Sequence, residues 1–254
     1  LFRSDSTQII RRFDRILEQD TENADLTMLY AQYLIAKNME QEAKPVLRKL
    51  LQIDPTNSGG RMILLQDAIR EEDYGEIINL CEAGVEASPE ALEFYFYLSI
   101  AYAHEQRHDD VLRICTQALE HVNENSTKEV VSDFYAMMGD TYHTQGKLTE
   151  AYQAYEKAIE AYGNNISALN NYAYYLSLEK RDLDKAEEMS YKTVKAEPEN
   201  GTYLDTYAWI LFVKGNYTQA KLYIDMAMNA EGDKSADVVE HCGDIRSEER
   251  RVGK

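Results

Sequence analysis

The sequence predicts an all-α fold, a solenoid of stacked helix pairs, on three observations. A pattern of small and large residues returns about every 34 residues. Within each period the apolar residues keep the spacing of two amphipathic helices joined by a short turn. The composition, 4 Pro and 12 Gly beside 19 Tyr in 254 residues, fits a helical array better than a disordered chain. One such pair cannot bury its own apolar face, whereas a stack of pairs can.

The elements follow in order. Residues 1–23 place Ile9, Phe13 and Ile16 at core positions of a second helix, so they read as the end of a truncated preceding repeat. Six windows come next, at 24–57, 58–91, 92–125, 132–165, 166–200 and 201–234. Their eighth places hold Ala31, Leu65, Ser99, Gly139, Ala173 and Ala208. Their twentieth places hold Ala43, Ile77, Val111, Ala151, Ala186 (one residue late) and Ala220. Helices approach closely only where the crossing residues are small. Gly139 is therefore expected to face Ala151 and Ala158, with Tyr135, Met138, Tyr142 and Tyr155 filling the flanks. The second window departs from this rule at Leu65, Ile77 and Gly84, and irregular packing is expected there. The extra stretch "STKEVV" (126–131) should lengthen the first helix of the fourth window. In "FVKGNYTQA", Gly215 lets the chain reverse. Pro55, Pro89 and Pro198 stop second helices, because proline lacks a donor and disfavours helix in the residue before it. "SADVVEHCGDI" (235–245) starts a seventh repeat with Gly243 at the small place. "RSEERRVGK" (246–254) then abandons the pattern where a large apolar residue is due.

Charge and motifs narrow the function. A net charge of −18 argues against nucleic acid, whose binding depends on Lys and Arg, and against a basic membrane-surface role. No membrane span is legible in the sequence, so direct membrane insertion is not expected. Cys81 and Cys115 occupy equivalent core places and read as buried thiols, with a disulfide between them left open; Cys242 makes the count odd. Asn125, Asn165, Asn200 and Asn216 each begin an N-x-S/T triplet, which matters only on a eukaryotic secretory route. "HEQRH" (104–108) matches a zinc-protease pattern that needs both histidines on one continuous helix. The window instead puts His104 at the end of a first helix and His108 in the following turn, so no metal site is expected. There is no glycine-rich phosphate loop and no nucleophile motif, so neither a cofactor nor catalysis is expected.

The windows "FYAMMGDTYHTQGKLTEAYQAYEKAIEAYGNN" and "YLDTYAWILFVKGNYTQAKLYIDMAMNAEGD" carry a resemblance to tetratricopeptide-repeat proteins, and six in register strengthen it. The stretch "ALNNYAYYLSLEKRDLDKAEEMSYKTVKAEPENGTYLDTYAWILF" is similar to bacterial members, which makes a cell-envelope location an expectation, with the cytoplasm as the alternative. Residues 246–254 resemble a translated sequencing-adapter oligonucleotide, so a non-native tail on a fragment of a longer protein is expected.

The resemblance implies a right-handed superhelix whose first helices line a concave groove that binds protein or peptide. Carried over by window position, the groove residues are Phe96, Ile100, Asp133, Asp140, His143, Asn170, Tyr174, Asp205, Trp209 and Phe212. This aromatic and acidic set is expected to suit a basic and apolar partner segment, with Asn170 bonding a peptide backbone; the alternative is that Tyr174, Trp209 and Phe212 pack against neighbouring helices as core. Charge reversal at Asp140 and Asp205 should then weaken that partner and leave helicity unchanged. The basic clamp by which some family members hold acidic chaperone tails is missing, because Met28, Gln32, Met62 and Gln66 stand in its places. The implied function is a scaffold or adaptor without catalysis of its own. The alternative is a repeat region that presents substrate within a larger enzyme or sensor.

Overall fold

The computed structural model describes residues 2–230 and 235–252. Leu1, the last four residues of the sixth window and the final two of the tail lie outside the described residues. The chain divides into two compact units, Leu1–Asn123 and Glu124–Lys254. The first holds α1 (Phe2–Gln19), α2 (Ala24–Ala36), α3 (Glu40–Ile53), α4 (Ser58–Arg70), α5 (Tyr74–Ala87), α6 (Leu92–His104) and α7 (His108–Glu120). The second holds α8 (Lys128–Thr144), α9 (Leu148–Ala161), α10 (Ile166–Leu178), α11 (Leu183–Ala196), α12 (Gly201–Val213), α13 (Tyr217–Asn229) and α14 (Ala236–Val252). Among the described residues there is no strand, and the architecture is the all-α helical repeat that the sequence predicts.

Each first helix ends in the same way. Asn38, Glu72, Gln106, Gly146, Lys180 and Gly215 all take left-handed backbone angles, with φ between 51° and 81°. The residue after each donates its N–H back to a carbonyl five residues earlier, as in Lys147 to Tyr142 at 2.9 Å and Asn216 to Leu211 at 2.8 Å. This is the C-terminal cap that satisfies the last carbonyls of a helix and turns the chain. Two of the six positions are glycine and Asn38 tolerates the conformation, so the turn is imposed on residues that resist it at Glu72, Gln106 and Lys180.

Five of the six first helices begin with a side-chain cap, the exception being α6 after Ala91. Asn23, Asn57, Asn165 and Asn200 each accept an N–H of the first turn on the side-chain oxygen, and Thr127 does so for α8. Such a cap contributes about 1 kcal/mol. Second helices α3, α5 and α11 end two residues before Pro55, Pro89 and Pro198.

Close approach is where the structure corrects the sequence reading. A Cβ built on Gly139 meets the ring of Tyr155 at 2.9 Å, and one on Gly84 meets the ring of Phe94 at 2.6 Å. These glycines are sockets for aromatic rings; Gly139 does not chiefly meet Ala151 and Ala158. The small-residue rule still sorts the pairs. The α8–α9 pair, with Gly139, Ala151 and Ala158, is the most intimate, and α4–α5, with Leu65 and Ile77 at the crossing, is the loosest. Both bulky residues are nonetheless buried, at 0% and 5% exposure. The "HEQRH" stretch is split, since His104 closes α6 and His108 opens α7 across the left-handed Gln106. The His104 ring stacks on Tyr74 at 3.5 Å. Cys81, Cys115 and Cys242 are buried free thiols. α14 runs through Arg246, whose guanidinium bonds Asp225 at 2.7 Å. No described helix is long and apolar enough to cross a membrane.

Candidate partner-binding face

In unit 1 the candidate residues are Phe96, half-buried on α6, and Ile100 one turn later, 42% exposed. In unit 2 the remaining eight lie on three first helices: Asp133, Asp140 and His143 on α8, Asn170 and Tyr174 on α10, Asp205, Trp209 and Phe212 on α12. Their spacing along each helix puts them on one side of it.

The carboxylates of this face are engaged inside the protein. Tyr155 donates its hydroxyl to Asp140, and Asn171 donates to the same oxygen at 3.1 Å. Asn170 in turn donates to Asn171 at 3.3 Å, so a hydrogen-bond chain runs along α10 into α8. Burial pushes the Asp140 carboxyl above its ordinary value, and the two donors only partly offset that. Asp133 accepts from Asn165 at 2.8 Å and is likewise pushed up by burial. Asp205 is 6% exposed, and both its oxygens lie 3.0 Å from Nδ1 of His241 on α14. The expected picture of Asp140 and Asp205 as open charges is therefore not what these carboxylates offer.

The rings of this face are partly exposed, as are Asp133 and Asp140. His143 stacks on Tyr175 at 3.5 Å, and burial lowers its pKa, which favours the neutral ring. Trp209 stacks on His241 at 4.1 Å and touches Phe212 at 5.1 Å, with Tyr174 6.2 Å from the same imidazole. Tyr174, Trp209 and Phe212 are partly exposed, whereas Asn170 is 5% exposed and holds its amide toward Asn171. Burial of Asn170 places its amide out of a partner's direct reach.

Sequence reasoning missed His241, Tyr155, Asn165 and Asn171. His241 had a signal, because it lies in the seventh-repeat stretch between the core residues Val238 and Cys242. The partners of Asp140 had none, since a tyrosine on α9 and an asparagine on α10 look like ordinary core and surface.

Two family models, both described as tetratricopeptide repeat, match the chain, one at residues 24–57 and 132–165 and the other at 154–188. Among solved structures, the pilF protein of Pseudomonas aeruginosa is similar with a TM-score of 0.67 at 15% identity, covering 91% of this chain and 99% of that one. A tetratricopeptide repeat protein from Parabacteroides merdae ATCC 43184 is similar with a TM-score of 0.64 at 14% identity, covering 89% and 87%. At such identities the likeness is one of fold. A type II methyltransferase, M.CeqI of Rhodococcus hoagii, is 29% identical over 137 residues, 51% of this chain, and the match spans 26% of that relative's length.

Proposed function

Because this chain is a tetratricopeptide-repeat protein, we propose that it acts as a protein-interaction scaffold whose first-helix face in unit 2 holds a partner segment. The observation that supports this reading is the cluster of partly exposed rings, Tyr174, Trp209 and Phe212, on two adjacent first helices. Aromatic side chains of this kind dominate binding energy because they bury large areas at little cost in side-chain freedom. With Asp140 and Asp205 bonded internally, the face favours apolar side chains over basic ones. No catalysis by this chain is part of the reading.

Substitution tests it. Tyr174→Ala and Phe212→Ala should each lose a partner protein that the parent retains on an affinity matrix. Leu222→Ala, 58% exposed on second helix α13, should keep it. Melting temperatures within a few degrees of the parent establish that the variants fold. Retention by both first-helix variants would assign binding elsewhere. The likeness to part of a methyltransferase favours a second reading, a repeat region that presents substrate within a larger enzyme. A catalytic domain in frame in the neighbouring DNA would support that reading.

A further inference from the structure

A cavity of about 410 Å³ opens in unit 1 between α2, α3 and α4. Its floor is aliphatic, with Ile35, Leu47, Ile63 and Leu64, and Gln32 and Gln66 stand at its mouth. Its two cations are paired within the chain: Lys44 bridges Asp67 and Glu71, and Arg70 bridges Glu40 and Asp67. The volume falls in the range of sites that take small molecules or single side chains.

The same wedge exists in unit 2, and there it is full. Helices α2–α4 align in one register with α8–α10: α3 and α9 have 14 residues each, α4 and α10 have 13. The family match at 24–57 and 132–165 sets the same register. Where unit 1 has Ile35, Lys44, Leu47, Leu64 and Asp67, unit 2 has His143, Tyr152, Tyr155, Tyr172 and Tyr175. Those rings pack on one another. Tyr155 stacks on Tyr172 at 5.3 Å, Tyr152 lies 5.6 Å from Tyr172, and His143 covers Tyr175 at 3.5 Å. Unit 1 has no ring at any of the five places. Its α4 packs on α3 and α5 but not on α2 in the way that α10 packs on α8. The cavity is the space of the missing rings.

That origin also specifies the occupant. A charged group entering the wedge would compete with the ion pairs at its rim, whereas an uncharged ring leaves them intact. Lys44 occupies the place of Tyr152, beside the place of Tyr172. In unit 2 a lysine already caps such a ring, with Lys185 Nζ 4.8 Å from the centre of Tyr172. An ammonium over an aromatic face is attractive. Gln32, Ile35 and Gln66 hold the ninth and twelfth window places, so the cavity opens on the first-helix side. We propose that the unit 1 cavity receives one aromatic side chain of a partner protein, completing from outside the ring stack that unit 2 builds from its own residues. This rests on the first-helix face being the partner-binding one.

The test uses the full chain labelled at isoleucine δ1 methyls, with Ile35 and Ile63 as reporters and buried Ile210 as the control. N-acetyl-phenylalaninamide and N-acetyl-tyrosinamide should shift both reporters saturably, with a Kd on the order of 1–10 mM for fragments of this size. N-acetyl-leucinamide should bind more weakly. The lysine and glutamate amides should leave the reporters unmoved. Ala36→Trp and Gln66→Tyr, both at exposed positions lining the cavity, should each weaken the aromatic amides at least fivefold with helicity unchanged. Three outcomes overturn the proposal: no saturable shift up to about 20 mM; equal shifts from the charged amides; or saturation by octanoate alone, which marks a lipid site. If the aromatic amides fail while Tyr174→Ala and Phe212→Ala still abolish partner capture, the cavity assignment falls and the scaffold reading stands.

Discussion

Gly139→Ala isolates the physics that brings α8 against α9. The new methyl would sit 2.9 Å from two atoms of the Tyr155 ring, a separation that real Cβ atoms do not tolerate. Tyr155 is fully buried, stacks on Tyr172 and donates its hydroxyl to Asp140, so it has little freedom to retreat. Forcing one extra carbon into such a core costs about 1–3 kcal/mol. Pulling the hydroxyl off a buried carboxylate adds about 1–3 kcal/mol if the bond breaks. Replacing glycine by alanine inside a helix returns about 1 kcal/mol. With that bond broken, the net expectation is a loss of about 1–5 kcal/mol. Gly243→Ala in α14 is the matched control, because a Cβ there meets nothing within 4 Å and only the helix-propensity gain remains. Urea unfolding, followed by circular dichroism and by the emission of the sole tryptophan, Trp209, reads both. Repeat arrays need not unfold in one step, so the fluorescence midpoint, which reports unit 2, carries the comparison. If Gly139→Ala were as stable as the parent, or gained as Gly243→Ala does, the ring-socket reasoning would be refuted.

The left-handed turns give opposite signs at equivalent places: Gly146→Ala should lose about 1 kcal/mol and Gln106→Gly should gain somewhat less, read as shifts of a few degrees in melting temperature. Asp205→Lys, expected from sequence to spare helicity, instead sets an ammonium against His241 in a site 6% exposed. It should cost about 3–5 kcal/mol and reduce helical signal. Asp140 and Asp133 have carboxyl pKa values raised by burial. Their favourable contribution is therefore full below the ordinary carboxylate value near 4 and is lost as pH rises through the raised folded value. Asp140→Asn keeps an oxygen for Tyr155 and Asn171. Its stability relative to the parent, from urea midpoints at pH 4, 5.5 and 7, should improve as pH rises, and a flat difference would contradict this. The Cys81 and Cys115 thiols are fully buried and pushed up to about 12. A disulfide reagent at pH 8 should modify them on the order of a thousandfold more slowly in the native protein than in denaturant.

The sequence revealed what repeats and hid what pairs. Period, turn places and proline stops were legible because each is set by local backbone chemistry at a fixed offset. The left-handed turn recurs at Glu72, Gln106 and Lys180, where no glycine announces it, because the pattern around it demands it. The role of Gly139 was legible as closeness but not as partner, since which side chain fills a socket depends on a second helix. Asp140 and Asp205 looked like surface charge because helical spacing gives the side of a helix and says nothing about what stands opposite. Tyr155, Asn171 and His241 turn them inward, two of these from different helix pairs.

The contrast between the two wedges follows from the same limit. A repeat signature constrains the small residues at crossings, because a large one there separates the helices. It leaves open the residues that fill the space between successive pairs, because any set of suitable volume, or a guest, completes the packing. His143, Tyr155 and Tyr175 meet that need in unit 2, while Ile35, Leu47 and Asp67 leave it unmet in unit 1. The two windows are alike at the small crossing places, Ala31 and Gly139, Ala43 and Ala151, and differ at the places that fill the space between successive pairs. The five aligned places that carry rings in unit 2 carry none in unit 1, where paired charges stand at the rim of the open wedge without filling it.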